Sequence, residues 1–248
     1  MSRAGAILTG SLSTTRVIVA IDGPAGSGKS TTARRVADRL GWLYLDTGAM
    51  YRAVGIAFRD RSLPITDAAA EALVPDLDVR LAPGPTGVHV SLDGADVTDR
   101  VRTPQAAEDA SRVSALPAVR RALVALQRRA ARTHEATGSG VVVEGRDIGT
   151  VVFPDAEVKF FLVADLDARA QRRVADLAAL AARTGDAPPA FDTVRAEMAE
   201  RDRRDASRDL APLVAAPDAV TLDTTALDID AQVARVLDAV ALASTATN

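Results

Sequence analysis

The sequence predicts an α/β fold: a P-loop protein of three layers, in which helices flank a parallel sheet that carries a small antiparallel β insertion and a helical lid. Apolar runs of strand length alternate with helical stretches, a pattern typical of parallel sheets with right-handed crossovers. The first run, at residues 17–22, leads directly into GPAGSGKS at residues 23–30, a complete phosphate-binding loop. Residues 77–101 differ, because PGPTG and Asp93-Gly94 interrupt alternating apolar positions and indicate antiparallel hairpins.

The strands and helices follow one another in a simple order. We predict strands at residues 16–22, 42–45, 140–146, 156–163 and 219–223. We predict helices at residues 104–115, 117–136, 166–183 and 192–209, the second of which begins with Pro117, a residue that suits a first helical turn. The sequence TGDAPP at residues 184–189 separates the last two helices. We interpret this pair as a hinged flap, and a plain helical hairpin is the alternative.

Composition excludes several classes of protein. The chain has 248 residues, 48% of them hydrophobic, enough for the core of one α/β domain with insertions or of two small domains. Cysteine is absent, which excludes disulfides and cysteine-based zinc sites, and His89 and His134 are too few for a histidine metal cluster. The net charge of −3 argues against a nucleic-acid-binding protein, and no apolar run approaches the ~20 residues that span a bilayer. We therefore expect a cytoplasmic protein with no nucleic-acid partner and no membrane partner.

The loop at residues 23–30 predicts nucleotide phosphate binding. Its glycines allow backbone N–H groups to surround phosphate oxygens, and the following helix presents its positive N-terminal end. Lys29 supplies a mobile cation for the β- and γ-phosphates, and Ser30 supplies a hydroxyl for Mg²⁺. A plain glycine turn is the alternative, but it would not explain Lys29, one of only two lysines in a chain with 30 lysines and arginines.

A second group of charged residues follows the apolar strand VVVEGRD at residues 141–147. Ligands of open α/β sheets collect at the carboxyl ends of the strands, so Arg146 and Asp147 are expected to face the same crevice as the loop. An ion pair within this turn is the alternative.

Arginines also cluster at residues 200–208, ERDRRDASR. On a helix, Arg201, Arg204, Asp205 and Arg208 would share one face, leaving three guanidinium groups beside one carboxylate. A solvated helix with surface salt bridges is the alternative. Earlier, LDTGAMYR at residues 45–52 begins a helix with Asp46 or Thr47 as the N-cap, which places Arg52 one turn in, where it could bind a monophosphate.

Together these motifs resemble those of bacterial cytidylate kinases. The resemblance rests on GPAGSGKST, LDTGAMYR, LDVRL…VHVSLDGADVTDRVRT, SRVSALPAVR, VVVEGRDIGTVVFPDA and ERDRRDASR, and it covers residues 16–243. It implies phosphoryl transfer from ATP to CMP, with dCMP also accepted and Mg²⁺ required, by a monomer. It also implies a single kinase domain at 16–243 with an acceptor-binding insertion at about 63–115 and a lid at about 166–192. We expect a flexible extension at 1–15 and a disordered tail at 244–248.

The resemblance further implies roles for individual residues. ATP phosphates would be held by Gly23, Pro24, Ala25, Gly26, Ser27, Gly28, Lys29, Ser30 and Thr31, with Ser30 also a metal ligand. CMP would be held by Thr47, Tyr51, Arg52, Ser111, Arg120, Arg146, Asp147, Arg201, Asp205 and Arg208. Within that set, Arg52, Arg146 and Arg208 would bind the phosphate. Ser111, Arg120 and Asp147 would read the cytosine, and Arg201 and Asp205 would contact the sugar and phosphate region. The catalytic set would be Lys29, Arg146, Arg172, Arg173 and Arg208.

Two residues depart from the family pattern. Thr47 stands where many members have Ser, which keeps the hydroxyl, and Glu144 stands where others have Asp, which moves the carboxylate one methylene outward. Two other functions remain open at this point. A kinase for another small acceptor would keep the loop and change the second site, and a nucleotide-dependent switch or partner-binding ATPase would lack an acceptor.

Overall fold

The computed structural model describes residues 17–84, 87–136, 138–185 and 187–246. Its strands are β1 (Ile18–Asp22), β2 (Leu43–Asp46), β3 (Val79–Gly84), β4 (Gly87–Leu92), β5 (Ala95–Asp96), β6 (Val141–Glu144), β7 (Val158–Val163) and β8 (Val220–Asp223). The main sheet has five parallel strands in the order β2-β6-β1-β7-β8, and a second sheet has three antiparallel strands in the order β3-β4-β5. The predicted α/β class, the parallel sheet and the antiparallel insertion are confirmed, and the strand ends differ from those predicted by at most two residues.

Helices cover both faces of the main sheet. They are α1 (Lys29–Leu40), α2 (Thr47–Asp60), α3 (Asp67–Leu73), α4 (Pro104–Val113), α5 (Pro117–Glu135), α6 (Leu166–Thr184), α7 (Phe191–Ala206) and α8 (Ile229–Ala246). Side chains of β1 alternate between the two faces, as a strand requires. Val19 and Ile21 pack with α1 and α8, whereas Ala20 faces the core built by α2 and α5. The central strand is therefore buried on both sides, and its end is held rigidly.

Two predicted helix ends need correction. Helix α7 ends at Ala206 rather than 209, so Arg208 lies beyond the helix, after its C-cap Ser207. Helix α8 runs to Ala246, so residues 244–246, predicted as disordered, are helical. Ser244 Oγ donates to the Val240 carbonyl at 2.9 Å, a bond that lets serine remain within a helix.

Other predictions concern segments that the structure describes only in part. Residues 1–16, 85–86, 137, 186 and 247–248 lie outside the described residues, and with them the proposed flexible extension and the last residues of the tail. The flap prediction falls on α6 and α7, which pack on each other around a small core that includes Ala170, Val194 and Met198. Gly185 ends α6 in the left-handed conformation, at φ 80°, and donates its N–H to the Ala181 carbonyl at 2.8 Å. Within the described ranges, no helix combines the length and apolar character that a membrane crossing requires.

Candidate active site

A cleft of about 1370 Å³ opens at the carboxyl ends of the parallel strands. The loop at residues 23–30, the start of α2, the turn after β6 and the two lid helices line it. Gly28 and Arg146, which the sequence assigned to two separate anion sites, both face this cleft. All predicted site residues line it except Gly23, Pro24 and Ser27. The two predicted anion-binding sites therefore open into one space.

Glycines give the phosphate-binding loop its shape. Gly23, Gly26 and Gly28 have φ values of 141°, 75° and 90°, which L-residues with side chains rarely adopt. A Cβ on Gly23 would lie 2.1 Å from the Leu162 carbonyl oxygen of β7, a distance that no side chain could occupy. The close approach of the neighbouring strand thus requires a glycine as the first loop residue.

Lys29 begins α1 inside this loop. Its Nζ donates to the Pro24 carbonyl at 2.6 Å and lies 3.5 Å from Ser27 Oγ, which itself donates to Pro24 at 3.0 Å. Pro24 and Ser27 therefore act here as internal partners of the lysine. Burial lowers the pKa of Lys29 well below its usual value, and the charge of Arg146 lowers it further. Because burial and Arg146 both disfavour the charged form of Lys29, an anion bound beside its ammonium group would stabilise that form.

Glu144 links this loop to the second strand. Its Oε2 accepts a hydrogen bond from Ser30 Oγ at 2.8 Å, and its Oε1 accepts one from the Tyr44 hydroxyl at 2.5 Å. Burial raises the pKa of Glu144, and the charge of Asp46 adds to this rise. The sequence analysis did not identify Tyr44. The only signal was an aromatic residue with a hydroxyl group two residues before Asp46.

The start of α2 brings Arg52 to the cleft. Asp46 is the N-cap, as predicted, because its Oδ1 accepts from the Ala49 N–H at 2.8 Å. Its Oδ2 accepts from Arg52 Nη2 at 2.9 Å. Thr47, the other candidate cap, instead donates its hydroxyl to the Glu144 carbonyl at 2.7 Å. One carboxylate thus starts the helix and orients the arginine that this helix carries.

A buried ion pair joins Arg120 of α5 to Asp147 of the turn after β6. Beside it, Ser111 Oγ is buried and has no hydrogen-bond partner within the described part of the chain, whereas the Tyr51 hydroxyl lies next to the side chain of Gln127. Buried polar atoms without partners are rare in folded proteins and require an explanation. A polar ligand that enters this end of the cleft would supply the missing bonds.

Three guanidinium groups surround the carboxylate of Asp205. Arg146 Nε donates to it at 3.2 Å, Arg208 Nη2 at 2.5 Å, and Arg201 Nε lies 4.0 Å away. Burial acts to raise the pKa of Asp205, but the nearby guanidinium groups outweigh it and hold this pKa below its usual value. Arg208 reaches the carboxylate although it lies beyond the end of α7. The cluster keeps two positive charges in excess, which is what a phosphate dianion requires.

Arg204 does not join this cluster. Its Nε lies 3.9 Å from the Glu200 carboxylate, so the predicted common face holds only in part.

The two predicted lid arginines differ in their surroundings. Arg172 donates to the carbonyls of Gly26, Thr224 and Thr225 at 3.3, 2.6 and 3.3 Å, so its guanidinium ties the base of α6 to the loop and to the end of β8. Arg173 is half-buried and faces the cleft, and burial lowers its pKa. Backbone carbonyls thus hold the guanidinium of Arg172 at the base of the lid, and Arg173 lines the cleft.

Sequence reasoning missed a second lid anchor. Arg169 is buried and donates to the carbonyls of Ala25 at 3.2 Å and of Ala164 at 2.9 Å, and it pairs with Asp202 of α7 at 2.7 Å. Nothing in the sequence around it distinguished it from Arg172 and Arg173 of the same helix. The lid is thus connected to the phosphate-binding loop at its base.

The end of the cleft next to Gly28 also contains residues that the sequence analysis did not identify. Gln232 of α8 accepts from the Thr32 hydroxyl at 2.9 Å and donates to the Leu227 carbonyl at 3.1 Å. Residues 227–229 and Gln232 line the cleft next to Gly28. Side chains of α8 and of the segment before it therefore form part of the cleft wall beside the phosphate-binding loop.

Ser30 fits a role as a ligand of Mg²⁺. Because its hydroxyl hydrogen points to Glu144, the lone pairs of its oxygen remain available to a cation, and Mg²⁺ prefers oxygen ligands. Among the described residues, no cluster of three or more acidic, histidine or cysteine side chains could bind a metal ion. The donor set suits a cation that enters with a phosphate ligand and keeps most of its water.

Known proteins with similar sequences include several cytidylate kinases. The sequence model of the cytidylate kinase family matches residues 19–242. The cytidylate kinase of Salinibacter ruber is 47% identical over 224 residues, which cover 90% of this chain and 96% of that protein. The cytidylate kinase of Solibacter usitatus is 48% identical over 86% of this chain and 88% of its own length. That of Carboxydothermus hydrogenoformans is 45% identical over 89% and 95%.

Proposed function

Because the chain belongs to the cytidylate kinase family, we propose that it transfers the γ-phosphoryl group of ATP to CMP, giving ADP and CDP, and that it also accepts dCMP. The observation that carries this proposal is the single cleft, in which the phosphate-binding loop faces the Arg146–Arg201–Arg208 cluster. Two anionic ligands bound there would meet end to end, which an in-line transfer requires.

Phosphoryl transfer requires alignment and charge stabilisation rather than covalent help from the protein. The loop amides and Lys29 would hold the donor phosphates, and Arg146 and Arg208 would hold the acceptor phosphate. Arg173 would approach the transferring group as the lid closes, while Arg172 would keep the lid attached to the loop. No general base is needed, because the attacking oxygen of the acceptor phosphate is already an anion.

Magnesium is part of the proposal. Ser30 would be its protein ligand, and Glu144, oriented by Tyr44, would hold the Ser30 hydroxyl in place. A bound Mg²⁺ would neutralise charge on the β- and γ-phosphates.

The preference for cytosine would come from Asp147, Arg120 and Ser111. A carboxylate accepts a hydrogen bond from the amino group of cytosine but would oppose the carbonyl oxygen of uracil. Contacts of this kind discriminate by about 1–3 kcal/mol, so we expect a marked but incomplete preference for CMP over UMP.

We also propose that the enzyme works as a monomer in the cytoplasm, on small molecules and without nucleic acid. One chain supplies every residue assigned to the cleft, and its net charge is −3.

The test is a coupled assay of ADP release with Mg·ATP and a panel of acceptors: CMP, dCMP, UMP, AMP and shikimate. We expect CMP and dCMP to be the best acceptors. If CMP is inert and another acceptor is phosphorylated, the chain is a kinase of different specificity. Slow ATP hydrolysis that does not depend on any acceptor would instead support a nucleotide-dependent switch.

A further inference from the structure

Asp22, the last residue of β1, is not among the residues assigned above. It is 5% exposed, and Gly23, the next residue, opens the phosphate-binding loop. Its Oδ1 accepts a hydrogen bond from the Ile148 N–H at 2.9 Å, and its Oδ2 accepts one from the Gly149 N–H at 2.8 Å. A single carboxylate therefore connects the end of the central strand to the backbone of a segment 126 and 127 residues later.

Those two amides begin a π-helical turn, Ile148–Val152, directly after Arg146 and Asp147. The first N–H groups of such a turn need acceptors, which a neighbouring Asp, Asn, Ser or Thr usually supplies. Asp147 stands in that position but makes no capping hydrogen bond, because its side chain pairs with Arg120. Asp22 caps the turn instead, and this leaves Asp147 free to face the cleft.

Stability alone does not explain a carboxylate at this position. Burial raises the pKa of Asp22 to about 6, and the charge of Asp147 contributes to the rise, against the two backbone hydrogen bonds and Lys29. Keeping this group ionised near neutral pH therefore costs folding free energy. Buried ionised groups that lower the stability of the fold in this way are found most often at functional sites.

We propose that Asp22 is a positioning residue, which fixes Arg146 and Asp147 relative to the phosphate-binding loop and thereby sets acceptor selectivity. The inference rests on the proposed function, since Asp147 is taken to read the base of CMP. Asp22 itself does not line the cleft.

The test compares Asp22→Asn with Glu157→Gln. The asparagine keeps one acceptor oxygen but turns an NH₂ group towards a backbone N–H, so one hydrogen bond is lost and the turn must shift. Glu157 is a matched control, because its Oε2 accepts from the Ile18 N–H at 2.8 Å, at the opposite end of the same strand. We measure kcat and KM for CMP, UMP and ATP, together with Tm.

For Asp22→Asn we expect the ratio of kcat/KM for CMP over UMP to fall three- to tenfold, while KM for ATP stays within twofold. For Glu157→Gln we expect an unchanged ratio. A merely structural role for Asp22 would lower Tm and leave the ratio as it was, and that result overturns the proposal.

If Asp22→Asn does not fold, Asp22→Ser is measured in the same way, and failure of both variants to fold also overturns it. A wild-type chain that does not phosphorylate CMP refutes the proposed function instead. A CMP-selective wild type beside an equally selective Asp22→Asn refutes this inference alone.

Discussion

Replacing Asp205 with asparagine tests the arginine cluster most directly. Asp205 is 1% exposed and is the only carboxylate in the described part of the chain that pairs with Arg146, Arg201 and Arg208. The variant keeps the shape of the side chain but removes its negative charge. The three guanidinium groups would then repel one another with no internal counter-charge.

The magnitude follows from how deeply the cluster is buried. Removing one member of a fully buried ion pair costs about 3–5 kcal/mol. The exposed fraction of the side chain is 21% for Arg146, 27% for Arg201 and 11% for Arg208. Solvent therefore screens part of the repulsion between them. We therefore expect a loss of about 2–3 kcal/mol, which for a chain of this length lowers Tm by about 4–12 °C.

Thermal unfolding followed by circular dichroism measures this loss, with and without inorganic phosphate. Phosphate should raise the Tm of Asp205→Asn more than that of the wild type, because the phosphate dianion replaces the missing negative charge. Inorganic phosphate carries no sugar, so the comparison does not depend on a contact between Asp205 and the sugar of CMP. The pKa of Asp205 is lowered in the folded state, so its contribution is present above its unfolded pKa of about 3.8 and is lost as pH falls through the lower folded value. The difference between the two proteins should thus be constant from pH 8 to pH 5.

The control is Asp167→Asn, which removes an exposed ion pair between Asp167 of α6 and Arg195 of α7. Exposed pairs contribute about 0–1 kcal/mol, so Tm should hardly change. If Asp205→Asn also unfolds within 2 °C of the wild type, and phosphate stabilises both proteins equally, then Asp205 does not organise the cluster and the reasoning is wrong.

Lys29→Ala should lower kcat by about 10²–10³-fold in a protein that remains folded by circular dichroism, and near-normal turnover would refute its assigned role. Asp147→Ala should reduce the preference for CMP over UMP by about tenfold, whereas equal losses with both nucleotides would indicate phosphate handling. Tyr44→Phe leaves one Glu144 oxygen without its donor and should raise the Mg²⁺ concentration for half-maximal rate by about two- to tenfold; an unchanged Mg²⁺ dependence contradicts this. Because the folded-state pKa of Asp22, about 6, lies above the unfolded value of 3.8, its contribution to stability should increase as pH falls from 7 towards 4 and be lost as pH rises through 6. Asp22→Asn should therefore flatten Tm against pH in this range, and a profile identical to that of the wild type speaks against the assignment.

Most of the fold could be predicted from patterns among residues that are close together in the sequence. The apolar run of β1 and the glycines that follow it specify a strand, a loop and a helix start within about fifteen residues, and the structure has them in that order. Arg146 and Asp147 could be placed in the cleft by the rule that ligands meet the carboxyl ends of parallel strands. Both predictions needed only neighbouring residues and the expectation that the strands of the sheet are parallel.

What the sequence did not reveal were side-chain partners across long separations. Tyr44 meets Glu144 100 residues later, and nothing near either residue specifies that contact. The end of α7 was misjudged for a related reason. The charged periodicity of residues 200–208 continues past Ala206, but Arg208 turns back to Asp205 at a separation of three residues instead of extending the helix. Partner choice depends on how the elements pack, which periodicity does not encode.

The scarcity of lysine has a practical consequence for chemical labelling. Lys29 and Lys159 are both buried, and Lys159 is held in an ion pair with Asp218 at 2.7 Å, away from the cleft. Lys29 is thus the one lysine that faces the cleft, and burial lowers the pKa of its amine. An aldehyde that carries a phosphate group, such as pyridoxal phosphate, would form an imine with this amine, and borohydride would make the product permanent. Label found on Lys29 by peptide mapping, which separates it from label on the terminal amine, and protection of Lys29 by ATP would then report occupancy of the loop in a chain that carries no substitution.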